Sequence, residues 1–237
     1  MIGKLLRILE VPLLVAVPLV LGGCAFLKIS QTAILSLAVV VVALLVFFAS
    51  FEAGRPALRQ IMPTVVLSAL AAAGRILFAA LPDFKPTTAI CIVSGIVFGR
   101  RVGFMVGALA ALVSNFFFGQ GPWTPWQMYA WGMIGYFAGL LGSRNFAGLL
   151  GGRNFAAQQL VVHVYGFVSA LLFGFMLNSW YIVGYVHPLT WQSALIAYGA
   201  SLPFDVTHGV ATLAFLLVIY APWRKKLERI RKKYDLG

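Results

Sequence analysis

Q-T-A-I-L-S-L-A-V-V-V-V-A-L-L-V-F-F-A-S-F, residues Gln31–Phe51, carries no charge from end to end. At 1.5 Å per residue, a helix of this length covers about 30 Å, the thickness of a bilayer's hydrocarbon core. A helix that is apolar all round has no face to offer water. The stretch therefore reads as a membrane crossing.

Similar runs follow on both sides. Hydrophobic periodicity and length place helices at Val11–Leu27, Gln31–Phe51, Ile61–Leu81, Pro86–Gly99, Val102–Phe118, Met128–Gly142, Gln158–Gly184 and Leu195–Pro222. The fold class is an all-α membrane protein. Its expected units are two N-terminal transmembrane helices (1–60), a six-helix membrane core (61–222) and a basic tail (223–237). Pro86–Gly99 is short for a crossing and must be surrounded by other helices or start deeper in the membrane.

Composition agrees with this reading. Of the 237 residues, 61% are hydrophobic and only 10% are charged, too few charges to cover a soluble surface. The net charge of +12 raises the possibility of nucleic-acid binding. The basic residues, however, lie between apolar runs rather than in one patch, so no nucleic-acid partner is expected. With both termini cytoplasmic, fifteen of the eighteen Lys and Arg residues fall on the cytoplasmic side, among them Arg59, Arg100, Arg101, Arg144, Arg153 and the Arg224–Lys233 cluster. That matches the positive-inside rule and implies a multi-pass protein of the cell membrane. The basic tail reads as an anchor near anionic lipid of the bilayer. Lys4, Arg7 and L-G-G-C at Leu21–Cys24 also resemble a lipoprotein signal. A near-repeat, L-L-G-S-R-N-F-A-G then L-L-G-G-R-N-F-A-A over Leu140–Ala157, reads as a duplicated inside loop.

No P-loop, H-E-x-x-H, paired-cysteine metal signature or G-x-S-x-G is present. No metal site, no cofactor and no enzymatic activity are expected. What remains is polar residues at membrane depth, which are costly and usually face a cavity or a partner. Arg75, Asn115 and Asn178 fall near the outer ends of three separate helices, and Asp205 and His208 in the outer half of a fourth. Arg75 and Asp205 either pair with each other or hold a ligand. His163, at the inner level, reads as a packed core histidine. Between the fifth and sixth helices lies N-F-F-F-G-Q-G-P-W-T-P-W-Q-M, Asn115–Met128. Its prolines stiffen it, while Phe118, Trp123, Trp126, Gln120 and Gln127 offer aromatic faces and amide edges. Such a loop suits a flat, polar-edged small molecule; its tryptophans also fit an interfacial belt. Ala69 and Ala73 in A-L-A-A-A form a small-x-x-x-small face, as do Gly135 and Gly139. Glycines recur at 95, 99, 103 and 107.

These residues carry a resemblance. From Ile61 onward the chain resembles the substrate-binding S components of energy-coupling factor (ECF) vitamin transporters. A-L-A-A-A resembles the family's docking motif. A-G-R-I-L-F-A-A-L-P-D-F-K-P-T-T-A-I, G-I-V-F-G-R-R-V-G-F-M-V-G and S-N-F-F-F-G-Q-G-P-W-T-P-W-Q-M are similar to the subgroup associated with cobalamin or its precursors. The resemblance implies a six-helix core with an outward-facing vitamin site, and Ala69 and Ala73 against a transmembrane T subunit. It further implies two ATP-binding subunits that consume the ATP, and a chain with no ATPase of its own. Rival readings are an S component for another vitamin or a nucleobase-like nutrient, a membrane-embedded lipid-modifying enzyme built on Asp205–His208, and a structural assembly protein.

Overall fold

The computed structural model describes residues 2–27, 32–54, 56–143 and 155–236. Most of the near-repeat, together with Lys28, Arg55, Arg144 and Arg153, lies outside the described residues, as do the side chains of Lys4 and Arg7. Among the described residues all regular structure is helical. The helices are α1 (Ile2–Phe26), α2 (Thr32–Glu52), α3 (Leu58–Leu77), α4 (Thr87–Phe98), α5 (Arg100–Phe118), α6 (Trp123–Leu141), α7 (Phe155–Tyr185) and α8 (Trp191–Lys233). Five of them, α2, α3, α5, α7 and α8, are long and apolar enough to cross a membrane.

The short helix α4 is the centre of the bundle. Eleven of its twelve residues are buried, and it packs against α3, α5, α6, α7 and α8. A helix of about 18 Å cannot cross alone, and here its neighbours enclose it on all sides. It passes into α5 through Gly99, whose φ of 90° is a conformation that glycine adopts without strain. Arg231, from the far end of α8, donates to Val97 O at 2.7 Å and so satisfies a carbonyl that the end of α4 leaves open.

The α4–α5–α6 seam is a backbone contact. A Cβ on Gly135 would meet the Gly103 carbonyl, and one on Gly103 would meet the Gly135 carbonyl. The recurring glycines are thus where these helices touch.

The two N-terminal helices are fixed to the core. Glu10 on α1 is fully buried and accepts from Arg101 Nε at 2.7 Å and from the Ser50 hydroxyl. Tyr129 donates to Leu14 O at 2.6 Å. Phe47 on α2 stacks on Phe104 of α5. Cys24 is buried within α1.

Three boundaries differ from the sequence reading. The loop expected over Asn115–Met128 is only residues 119–122, because α6 starts at Trp123. Helix α1 starts nine residues earlier than expected, at Ile2. The tail is not separate: α8 runs through Pro222 to Lys233. Arg224 bonds Tyr220 OH, Glu228 and Gln158 of α7, and these bonds bridge the turn that Pro222 weakens. Arg59, Arg100, Arg101 and the α8 cluster stand at the ends of their helices that share one pole of the bundle.

Candidate functional site

At the opposite pole, three polar groups come from six helices. The first centres on Arg75, near the end of α3. Its Nη1 donates to Ser114 Oγ at 2.7 Å and to Asn115 Oδ1 at 2.6 Å. Its guanidinium also lies over the rings of Phe118 (4.6 Å) and Trp131 (5.0 Å). Asn115 is fully buried, and its amide donates to Thr124 Oγ1 at 3.0 Å and Gln127 Oε1 at 2.8 Å. Thr124 in turn donates to Gln120 Oε1 at 2.9 Å. The α5–α6 turn is therefore stitched by amides and hydroxyls to one arginine.

The second group crosses the interior. Trp131 Nε1 donates to Thr88 Oγ1 at 2.9 Å, and Thr88 lies 2.6 Å from His208 Nε2. An indole N–H only donates, so Thr88 accepts from Trp131; its hydroxyl has a second acceptor lone pair, so toward His208 Nε2 it can either donate or accept. Phe173 packs against both Trp131 and His208.

The third group joins α7 and α8. Asn178 donates to Ser201 Oγ at 2.8 Å and Asp205 Oδ2 at 3.3 Å, and Ser201 donates to Asp205 Oδ2 at 3.1 Å. The Asp205 carboxylate lies against Gly174, where a Cβ would collide with it.

Trp131 belongs to the first two groups at once. Asp83 lies in the turn between α3 and α4, within electrostatic reach of Arg75 and Lys85. Partial desolvation raises the Asp83 carboxyl above the usual carboxylate range, with Lys85 and then Arg75 pulling the other way. Asp83 and Lys85 lie in a stretch quoted for the resemblance but were not among the expected site residues. The prolines flanking D-F-K in P-D-F-K-P were the sign of a constrained turn, and Asp83 there has a φ of 52°.

The structure thus brings Arg75, Asn115, Phe118, Gln120 and Gln127 together. It does not pair Arg75 with Asp205: among the described residues the ion pairs are Arg101–Glu10 and Arg224–Glu228. Trp123 is half exposed at the rim. Trp126, expected in an outside loop, is fully buried on α6 and stacks on Trp180 at 5.9 Å; its indole N–H has no partner among the described residues. Asp205 and His208 do not form an acid–base pair, because each bonds different neighbours. His163 is buried, bonded through Nδ1 to Gln159 O at 2.6 Å.

The family model of the ECF-type riboflavin transporter S component matches residues 55–225. The chain belongs to this family. No curated protein and no solved structure is significantly similar to it. The match begins just before α3 and ends in α8, while α1 and α2, which contact α5 and α6 through Glu10, Leu14 and Phe47, lie before it. As an S component the chain is a membrane-embedded, substrate-binding subunit of a vitamin transporter, a class that works with T and ATPase subunits. The family is one of transporters rather than of enzymes.

Proposed function

We propose that this S component binds its vitamin at the Arg75 pole, that this pole faces outward, and that the vitamin is a flat heteroaromatic of the riboflavin kind. The observation that carries the reading is the Arg75–Asn115–Gln127 network beside the Trp126, Trp131 and Trp180 indoles. Aromatic faces suit a planar ring, and neutral amides and hydroxyls suit its polar edge and a polyol chain. The sequence resemblance favours a corrinoid. Riboflavin is the vitamin in the description of the matching family. The basic pole then faces the cytoplasm, in keeping with the positive-inside rule.

Mass spectrometry of small molecules retained by the detergent-purified chain tests this. A flavin is the expected passenger. A retained corrinoid would return the substrate to the sequence reading, and a retained lipid-linked product would favour an enzyme.

Uptake needs a docking face as well as a site. Ala69 and Ala73 both lie exposed on α3, in line with the exposed Met62 and Val66. Such a face lets a partner helix approach closely, which supports docking of the T subunit there. Ala69→Leu or Ala73→Leu is expected to cut uptake about tenfold or more by overfilling that contact, while vitamin binding by the isolated chain stays unchanged. Uptake assays in cells beside binding titrations check this. Loss of both activities together would place the two alanines in internal packing.

A further inference from the structure

A groove of about 560 Å³ runs along the flank of the bundle at the basic pole, between α3 and the far end of α8. On α3 its wall is Arg59, Met62, Val66 and Leu70, one helical stripe about 16 Å long. On α8 it is faced by Trp223, Lys226 and Leu227. Met62, Val66 and Leu70 are all close to half exposed, so the groove is open to whatever surrounds the bundle.

We propose that, in the chain free of its T subunit, this groove holds one anionic phospholipid, with an acyl chain along the α3 stripe and the phosphate on Arg59 and Lys226. Three observations point there. The wall between the two cations is apolar, which fits hydrocarbon and not a polar solute. The stripe is about as long as half of a 30 Å hydrocarbon core, the depth of one leaflet. Arg59 and Lys226 make no ion pair among the described residues, and the nearby acid Glu228 is taken by Arg224. Two unneutralised cations at the mouth of an apolar slot match a chain with a charged head. Basic pockets between transmembrane helices commonly recognise anionic headgroups in this way. The site is separate from the vitamin pole, and binding at one does not presuppose the other.

The test uses the full chain, purified and delipidated in detergent, with native mass spectrometry after addition of palmitoyl-oleoyl phosphatidylglycerol or phosphatidylcholine. One phosphatidylglycerol per chain is expected, at a concentration about tenfold lower than phosphatidylcholine needs. Arg59→Gln with Lys226→Gln should bring the two lipids to parity. Val66→Trp, which fills the slot, should remove the adduct while the melting midpoint and vitamin binding persist. Equal binding of both lipids by the unaltered chain, or an adduct that survives Val66→Trp, overturns the proposal. Maleimide labelling of Val66→Cys in vesicles of 30 mol% phosphatidylglycerol in phosphatidylcholine distinguishes the other occupant. Slower labelling than in pure phosphatidylcholine supports the lipid. Labelling indifferent to phosphatidylglycerol but blocked by added T subunit assigns the groove to a partner helix and overturns it.

Discussion

Glu10→Ala is expected to destabilise the bundle by about 3–5 kcal/mol, the usual cost of stranding one member of a buried ion pair. Glu10 is fully enclosed, and Arg101 and Ser50 both bond its Oε1. Removing it leaves Arg101 without its carboxylate and cuts one of the few polar links between α1–α2 and the core. The readout is the thermal midpoint of the detergent-solubilised chain. Glu10→Leu combined with Arg101→Leu should recover most of the loss, since a well-packed apolar pair often replaces a buried ionic one at little cost. An unchanged midpoint in Glu10→Ala would mean that the N-terminal helices are not locked to the core by this pair. Vitamin binding, at the other pole, should be affected only through stability.

The second large effect is expected at Arg75. Arg75→Ala should weaken vitamin binding about a hundredfold, on the order of 3 kcal/mol, the scale of an interfacial hot spot. The arginine organises the pole: it bonds Ser114 and Asn115 and lies over Phe118 and Trp131. Arg75→Lys should rescue little. An ammonium is a point charge and lacks the planar fork that bonds along its edge while stacking through its face. Adding Asp205→Ala to Arg75→Ala should restore neither affinity nor stability, because Asp205 bonds Asn178 and Ser201 rather than Arg75. Calorimetric titration with thermal melts distinguishes these outcomes. Recovery in the double variant would show that the two residues are coupled after all.

Much of the architecture was legible because the bilayer restricts the choices. An uncharged run as long as Gln31–Phe51 has one stable form in lipid, and the result is α2. The brevity of Pro86–Gly99 left two readings, a helix surrounded by others or one that starts deeper in the membrane, and α4 is surrounded. Of the glycines at 95, 99, 103, 107, 135 and 139 that suggested close contacts, all but Gly99 lie on the α4–α5–α6 seam.

The site was harder to read, for two physical reasons. First, periodicity gives a residue's depth along its helix but not which neighbour it faces. Arg75 and Asp205 were both expected near the outer pole, and the order of helices sets Arg75 against α5 and α6, and Asp205 against α7. Second, proline was read as a loop signal where it begins a helix. Pro122 caps α6 and Pro125 is its third residue. The first N–H groups of a helix have no intrahelical partner, so a proline there loses nothing. That moved Trp126 from an outside loop into the core. Pro222 misled in the same direction: the bonds of Arg224 and the packing of Trp223 and Leu227 carry α8 past it.

The central claim is that the Arg75 pole of this S component binds a riboflavin-like vitamin. Its most direct test is a titration of the purified chain with riboflavin, followed by flavin fluorescence, with cyanocobalamin as competitor. The expected result is saturable quenching at one flavin per chain as the ring stacks on the indoles. That quenching should be unaffected by cyanocobalamin and weakened about a hundredfold in Arg75→Ala. Absence of saturable quenching, its displacement by cyanocobalamin, or full quenching in Arg75→Ala would contradict the account.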